Sequence, residues 1–416
     1  MKKCSVVIGS LWGDEGKGHM TDLLCNEPNT LNVRFNGGAQ ASHTVVTPEG
    51  FRHAFRHFGS GTFSGAKTYL ASQFIVNMEA FVLEAKKLEE EFLLYPTVFV
   101  NPDCIVTTPW DVYINQGIET MRKENRHGSC GFGINETVER SKYERYKITV
   151  YDLLFEYSLI EKLCIIRDEY VPKRLEQEYG VIMSDLPQKY IDLMTNPEII
   201  DMFIFFKNEF LKKVRVLGDN VLFTFDNVVF EGAQGLLLDK DKKIYYPHVT
   251  SSSTGIKTAI DILHKMNVNF SVDIYYMSRC YMTRHGAGPL INELTNVPYD
   301  RVRDLTNIPN EFQGSMRYSY LDIDLLLDAI YEDFYLIYKS FHLSHECDVN
   351  LNLVITCIDQ LGKEFKYFKG KELNSVSSNK LRDVIWGELV NRFSKLKALY
   401  AMNGLTRNDF LLLKEC

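Results

Sequence analysis

The densest group of reactive side chains lies near the N-terminus, in the run Gly9-Ser10-Leu11-Trp12-Gly13-Asp14-Glu15-Gly16-Lys17-Gly18. It follows a predicted strand and opens a predicted helix. Glycines let backbone N–H groups approach a phosphate, and a helix start adds positive potential. Lys17 can neutralise the same oxygens. The run predicts a P-loop-like strand–turn–helix, and the other residues expected to bind a phosphate there are Gly13, Glu15, Gly16 and Gly18.

The run differs from a standard P-loop at two positions. The Walker spacing requires glycine where Leu11 stands, and serine or threonine where Gly18 stands. The hydroxyl that usually binds Mg²⁺ is therefore missing, and Asp14, inside the turn, is the natural replacement as metal ligand. A simple GTPase switch is disfavoured for the same reason.

Four blocks of sequence together resemble the adenylosuccinate synthetase family. They are residues 12–18; residues 34–44, which look like the family's Gly-Gly-x-Asn-Ala-Gly-His-Thr; residues 230–235 with 247–252; and residues 283–289. The blocks follow the family's order and spacing over roughly residues 4–360. The resemblance is specific because all four occur jointly.

The resemblance implies a ligase that joins aspartate to position 6 of a 6-oxopurine nucleotide, driven by GTP and with Mg²⁺ as cofactor. The purine oxygen must be phosphorylated before an amine can displace it, and the N1 proton must be removed. Asp14 fits the general base, and His43 fits the general acid. Lys17 would neutralise phosphate charge, and Gln234 would hold the oxo edge of the purine.

Further ligand-binding residues carry over from the resemblance. Thr250 is expected to bind the substrate phosphate. Ser129 and Cys130 stand where the family has Thr-Thr-Gly-Arg-Gly and could donate to the same phosphate, the thiol only weakly. Arg140 is the best match to an arginine that the family donates across a dimer interface. The resemblance therefore implies a homodimer.

Several departures from the family fall on residues that select ligands. Asp359 matches the acid of the guanine-binding Thr-Lys-x-Asp block, but Cys357 replaces its lysine, so GTP and ATP both remain open. Asp359 could instead cap a helix. Gln40 is expected at the nucleotide. Ser42 stands at a glycine whose carbonyl binds the metal, and its Cβ requires a negative φ.

The amino-acid loop is the most altered segment. In residues 311–322, Arg317 is the one arginine left to form a carboxylate fork. A dicarboxylic amino acid needs two charge-assisted contacts. Arg284 is expected to supply the second, with Arg301 and Arg303 as alternatives. Otherwise the amino acid is not aspartate.

Two other functions remain open. The first is a paralogue that aminates a different purine monophosphate, for instance dGMP to a 2-aminodeoxyadenylosuccinate, with ATP in place of GTP. Asp14 favours a 6-oxopurine that must lose its N1 proton. The second is a nucleotide-binding module without catalysis, which the joint presence of Asp14, Lys17, His43 and Gln234 disfavours.

Composition limits the classes of protein that fit. The chain has 416 residues, 45% hydrophobic and 24% charged, with a net charge of −7. These values exclude a disordered chain and disfavour a nucleic-acid partner. No apolar run reaches the roughly 18–20 residues that cross a bilayer, so no membrane partner is expected. Nine scattered cysteines without a Cys-x-x-Cys pair indicate reduced thiols in the cytoplasm.

The elements that must position these residues alternate between strands and helices. Buried strands are predicted at residues 5–9, 227–230, 272–277 and 351–356. Helices are predicted after Asn77, from Pro109, and over 256–263 and 321–331. We expect one large α/β domain over residues 1–416, with a central mixed, mainly parallel sheet flanked by helices. Residues 159–218 are predicted to be mostly helical and to form either a subdomain within it or, as the absence of a linker favours, a helical cover on the single core.

Overall fold

The structure is a computed structural model that describes residues 2–266, 270–303, 314–340 and 348–416. Its strands are β1 Lys2–Gly9, β2 Thr30–Arg34, β3 His43–Val46, β4 Arg52–Phe55, β5 Lys67–Leu70, β6 Val98–Val100, β7 Val214–Val216, β8 Asn227–Gly235, β9 Phe270–Arg279, β10 Tyr281–His285, β11 Met316–Asp322, β12 Asp348–Thr356, β13 Glu364–Lys369, β14 Glu372–Ser377, β15 Leu396–Met402 and β16 Phe410–Glu415.

Its α-helices are α1 Lys17–Leu24, α2 Met78–Phe92, α3 Pro109–Arg122, α4 Ile134–Ser141, α5 Glu156–Ile165, α6 Val171–Arg174, α7 Gln188–Thr195, α8 Ile199–Lys213, α9 Lys257–Lys265, α10 Ile323–Ser340 and α11 Leu381–Arg392. In the part of the chain that the structure describes, no helix is both long and apolar enough to cross a bilayer.

The central sheet has ten strands in the order β16-β15-β12-β9-β1-β8-β2-β5-β6-β7. Its pairs are parallel except β15 with β16. β1 lies between β8 and β9, and Val6, Val7 and Ile8 are fully buried. A parallel strand covered on both faces is a continuous apolar run. The predicted α/β fold with a mainly parallel sheet is confirmed.

Parallel pairing brings four loops to one edge of this sheet. Gly9 at the end of β1 is in register with Gly235 at the end of β8. Arg279 at the end of β9 is in register with Thr356 at the end of β12. The loops that follow these strands therefore meet in one place, as is usual for ligand sites in α/β sheets.

Two helix starts predicted from capping residues are confirmed, and a third is corrected. The side chain of Asn77 accepts the N–H of Ala80 at 3.0 Å, and Thr108 forms a capping box before Pro109. The helix predicted to begin at Leu321 begins later, because Leu321 belongs to β11. Asp322 accepts the N–H of Leu325 at 3.0 Å and ends the strand, so α10 begins at Ile323.

The segment 159–218 is helical, as predicted, apart from its end in β7. β7 pairs with β6 in the central sheet. Leu163 and Phe203 pack in the same apolar cluster as Leu70 and Val98 of β5 and β6. These contacts favour a helical cover on the sheet over a separate subdomain.

Two smaller sheets complete the fold. β3 and β4 form an antiparallel hairpin that begins with His43. β10, β11, β13 and β14 form a four-stranded sheet. β10 follows β9 directly, so this second sheet begins at the edge where the central loops meet.

Candidate functional site

A cleft of about 480 Å³ opens at the carboxyl ends of the central strands. It brings together all four residues predicted for catalysis, Asp14, Lys17, His43 and Gln234. The predicted residues that line it are Asp14, Glu15, Gly16, Lys17, Gly18, Gln40, Ser42, His43, Cys130 and Gln234. It is also lined by residues that the sequence analysis did not single out, among them Arg56, Phe132, Arg279 and His285.

The turn after β1 has an unusual backbone at Asp14. Gly13 and Gly16 have φ of 91° and 86°, and Asp14 itself has φ of 58°, which non-glycine residues rarely adopt. The guanidinium of Arg279 donates to the carbonyl of Asp14 and holds this conformation. The Asp14 carboxylate has no hydrogen-bond or ion-pair partner among the described residues. It is therefore available to a proton or a metal ion.

Glu15 and Lys17 are both buried beside this turn. Glu15 accepts the N–H of Leu11 at 2.5 Å. Burial raises the pKa of Glu15 to about 7, although Lys17 opposes the shift. Burial also lowers the pKa of Lys17, against the attraction of Glu15 and Asp14. Glu15 therefore stabilises the turn. Among the described residues, no carboxylate lies within 4.0 Å of the Lys17 ammonium.

The missing Walker hydroxyl has a packing explanation. A Cβ at Gly18 would lie 2.9 Å from the Cβ of His43 and 3.1 Å from the Oγ of Ser60. Real Cβ atoms essentially never approach so closely, so a serine or threonine at this position would displace the β3–β4 hairpin. Gly18 therefore lets His43 pack against the start of α1.

His43 forms a buried pair with Glu231, with 2.5 Å between Nδ1 and Oε1. Glu231 also accepts from the N–H of Ser60 at 3.0 Å and from its hydroxyl, and Arg34 lies 4.0 Å away. Burial opposes ionisation of Glu231, but Arg34 and His43 outweigh it and lower its pKa to about 2.

Burial lowers the pKa of His43 to about 4, against the attraction of Glu231. At neutral pH the ring is therefore uncharged and donates Nδ1–H to the Glu231 carboxylate, which leaves Nε2 without a proton. The general acid predicted at His43 must first take up a proton. An anionic phosphoryl group beside the ring would favour that protonation.

Two amides face the cleft. Both amide atoms of Gln40 are buried without a partner among the described residues. Such an orphaned group costs about 1–3 kcal/mol, which a ligand would recover. Gln234 has φ of 66° at the end of β8, next to the turn at Gly13. Ser42 is not among the residues with positive φ, as its Cβ requires.

Five residues predicted to bind the nucleotide or its phosphate lie outside the lining of the cleft: Gly13, Ser129, Arg140, Thr250 and Asp359. The Ser129 hydroxyl donates to Asn115 Oδ1 at 2.9 Å. The Thr250 N–H donates to the carbonyl of Leu238 at 2.8 Å. Asp359 lies on the turn Ile358–Gln360, where burial raises the pKa of its carboxyl. Their roles stay predictions.

Arg284, the predicted second contact to the amino acid, is engaged by its own subunit, and its ligand role stays a prediction. It is 2% exposed and donates to the carbonyls of Ala287, Pro289 and His248. Its guanidinium also lies 3.9 Å from the ring centre of Trp12. These contacts hold the 284–289 turn and leave the side chain enclosed.

Arg317 pairs with a carboxylate of this chain. It donates to Glu293 Oε2 at 2.8 Å and to the carbonyl of Gly288 at 2.6 Å. Arg303, one of the alternatives, donates to the carbonyls of Asp300 and Val302. Residues 311–313 of the predicted amino-acid loop lie outside the described residues.

Arg140 is buried inside its own subunit, and its predicted contact across a dimer interface stays a prediction. Its Nε and Nη2 donate to Asp111, its Nη1 to the carbonyl of Tyr146 at 2.6 Å, and its Nη2 to that of Val106 at 2.7 Å. The side chain has no exposed surface. The prediction of a homodimer therefore rests on the family resemblance alone.

We predict that Arg140→Met lowers the free energy of unfolding by about 3–5 kcal/mol, because it leaves Asp111 charged and unpaired in the interior. Chemical denaturation measures this loss. Arg145→Met is the matched control, since Arg145 pairs with Glu169 on the surface and its loss should change little. Equal stability of the two variants would contradict a structural role for Arg140.

The site residues that sequence reasoning missed depend on distant partners. Glu231 lies inside one of the four blocks, and a carboxylate within a buried strand is a signal that it has a charged partner. Arg34 and Ser60 are that carboxylate's other partners. Arg56 and Arg279 belong to no motif, so nothing local indicated them.

Comparison with known proteins identifies the family. The family model described as adenylosuccinate synthetase matches residues 6–330. The adenylosuccinate synthetase of Halothermothrix orenii is 30% identical over 78% of this chain and 73% of its own length. The adenylosuccinate synthetase of a Psychrobacter species is 31% identical over 79% of this chain and 74% of its own length.

Solved structures share the fold. That of the fully ligated adenylosuccinate synthetase from Plasmodium falciparum has a TM-score of 0.70, with 18% identity and 99% coverage of both chains. That of the succinoaminodeoxyadenylate synthetase of cyanophage S-2L, bound to dGMP and dATP, has a TM-score of 0.57, with 13% identity, and covers 99% of this chain and 96% of its own. The match over residues 6–330 shows that the chain belongs to the adenylosuccinate synthetase family.

Proposed function

We propose that the chain is a C–N ligase of purine biosynthesis that converts IMP, aspartate and GTP to adenylosuccinate, GDP and phosphate. The observation that carries this proposal is the convergence of three groups in one cleft: the unpartnered Asp14 carboxylate, the buried Lys17 ammonium and the His43–Glu231 pair. A packing role explains none of the three. Family membership supports the same reaction.

The first half-reaction would form a 6-phosphoryl nucleotide. Asp14 takes the N1 proton, and the electron pair moves through the ring to O6, which attacks the γ-phosphorus. The bond between that phosphorus and the β,γ-bridging oxygen breaks, and GDP leaves. Lys17 neutralises the moving phosphoryl group, and Gln234 holds the purine edge.

The second half-reaction would replace the phosphate with an amine. The aspartate nitrogen attacks C6, the C6–O bond breaks, and phosphate leaves. His43, held by Glu231, would donate a hydrogen bond or a proton to the departing phosphate oxygens once their charge has favoured its protonation. The nitrogen loses its extra proton to the phosphate or to solvent.

The cleft suits Mg²⁺. Asp14 offers a hard, unpartnered oxygen ligand, and Ser42, whose backbone carbonyl is the second predicted ligand, lines the same cleft. These two groups and the phosphates of the nucleotides would hold the ion. When bound it would neutralise phosphate charge.

A second candidate is a reaction on another purine monophosphate, such as dGMP, with ATP as donor. Cys357 favours it, because its left-handed backbone (φ 61°) and short side chain offer little surface on which guanine could stack. The cyanophage enzyme of similar fold, solved with dGMP and dATP bound, supports this candidate. In either case we propose a cytoplasmic enzyme that forms a homodimer.

An absorbance assay tests the proposal. The full-length protein with Mg²⁺ and aspartate is mixed with IMP, GMP or dGMP and with GTP or ATP. Ligation shifts the ultraviolet spectrum of the purine and releases phosphate. The proposed reaction predicts the largest rate for IMP with GTP. A larger rate for dGMP with ATP would establish the second candidate, and no release with any pair would indicate a binding module.

We predict that Arg317→Leu raises the KM for aspartate about tenfold with little change in kcat, because one charge-assisted contact is lost. Steady-state kinetics with varied aspartate measures it. Glu293→Gln is the paired variant: it removes the carboxylate that now occupies Arg317, so the KM should fall or stay constant. An unaltered KM in Arg317→Leu would discard this assignment.

A further inference from the structure

We propose that Arg56 binds the 5′-phosphate of the purine monophosphate, beside Gln40, which the family resemblance already assigns to the nucleotide. The inference rests on the proposed function, because it assigns one end of the same cleft to one group of its substrate. Arg56 follows β4 and lines the cleft beside Cys130 and Phe132.

The side chain of Arg56 is held in place. Its backbone N–H donates to the buried carboxylate of Glu84 at 2.8 Å. Its Nη1 donates to the carbonyl of Ala39 at 2.8 Å. Its guanidinium lies 5.0 Å from the ring centre of Phe132, which covers one face of the cation. The position of the charge is therefore set before any ligand binds.

The charge of Arg56 has no counter-ion among the described residues. In the described parts of the chain, no carboxylate lies within 4.0 Å of its guanidinium, and Ala39 is the one hydrogen-bond acceptor that the side chain has. Nε and Nη2 remain to form a fork, the geometry that matches two oxygens of a phosphate. A fixed cation with free donors in a cleft indicates an anionic ligand.

The neighbouring loop offers a phosphate few donors of its own. The buried carboxylate of Glu119 accepts the N–H groups of residues 127, 128 and 129. The N–H of Gly131 donates to Ser129 Oγ at 3.1 Å, and that of Gly133 donates to Asn115 at 3.2 Å. A phosphate at this loop therefore needs donors from elsewhere in the fold.

Gln40 is the nearest such donor in the sequence. It follows Ala39, whose carbonyl Arg56 contacts, and its buried amide has no partner in the described chain. An amide N–H₂ beside a guanidinium adds a neutral donor to the charged fork. A single phosphate would therefore accept hydrogen bonds from both side chains.

The position of Arg56 separates this phosphate from those of the triphosphate. The triphosphate charge belongs with Lys17 and the start of α1. Arg56 instead lies at the end of the cleft near which residues 127–135 contact residues 248–251. Ser251 donates to Asn135 there at 2.6 Å, and His248 Nδ1 lies 3.3 Å from the carbonyl of His127.

Calorimetric titration of the full-length protein tests the assignment. The dissociation constants of IMP, dGMP, their nucleosides inosine and deoxyguanosine, GTP and ATP are measured for the wild type and three variants: Arg56→Met, Arg56→Lys and Arg52→Met. Arg52 lies at the start of β4 with an exposed side chain, so its variant controls for the loss of one positive charge.

Arg56→Met should raise the dissociation constant of the monophosphate by about 10- to 100-fold, the range for the loss of a hydrogen bond to a charged group. Nucleoside and triphosphate affinities and the Arg52→Met protein should match the wild type. Arg56→Lys should show a smaller loss in the same direction, because an ammonium cannot form the fork. It serves as the test if the methionine variant does not fold.

An unchanged monophosphate affinity would overturn the assignment. So would an equal loss for nucleoside and nucleotide, or a loss confined to the triphosphate. The proposed function fails separately, if the wild type ligates no pair of nucleotides while the Arg56 variants still lose affinity for the monophosphate.

Discussion

Asp14→Asn should lower kcat to background, a loss of about 10⁴-fold or more, while the protein still binds both nucleotides. General-base catalysis alone contributes about 10²–10⁴-fold, and the same carboxylate is the proposed Mg²⁺ ligand. Asparagine keeps the shape of the side chain and tolerates the positive φ of 58° at this position. The loss therefore reports on the charge and not on the turn.

Single-turnover kinetics and titration of each nucleotide without Mg²⁺ measure the two parts of this prediction. Nucleotide affinity should be retained or rise slightly, because a negative charge has been removed from a cleft that holds phosphates. Asp241→Asn, at an exposed position, is the charge-matched control. If Asp14→Asn turned over at a rate near that of the wild type, Asp14 would have no part in the mechanism.

His43→Ala should lower kcat by about 10²–10⁴-fold, the usual range for one acid–base group, with a smaller effect on the KM values. The variant also leaves Glu231 without the partner at 2.5 Å that helps to lower its pKa. Arg34 and Ser60 still contact that carboxylate, so the fold should persist. Steady-state kinetics and a thermal melt of the same sample separate catalysis from stability.

Glu231→Gln distinguishes a positioned histidine from a merely nearby one. The amide keeps the packing but replaces the carboxylate that accepts Nδ1–H, so kcat should fall in the same direction as in His43→Ala. Adding Glu231→Gln to His43→Ala should cost little more, since the pair acts as a unit. Independent, multiplying losses would contradict a joint role. His264→Ala, at an exposed position, controls for loss of an imidazole.

The sequence by itself determined the central strands and the residues at their ends. The predicted runs within β1, β8, β9 and β12 are mainly apolar, and the glycines after Gly9 indicate a turn there. Both are local properties that need no knowledge of partners. Because parallel strands present their carboxyl ends at one edge, residues at those ends must converge. The shared cleft of Asp14, Lys17 and Gln234 follows from that rule.

Only the tertiary structure decided what the charged residues do. His43 and Glu231 are 188 positions apart, and Arg140 and Asp111 are 29 apart, so neither pair has a local sequence pattern. An arginine that binds a ligand and one that braces the interior look alike in a sequence. The difference lies in whether three-dimensional packing supplies a carboxylate, as for Arg140, or leaves the guanidinium facing the cleft, as for Arg56.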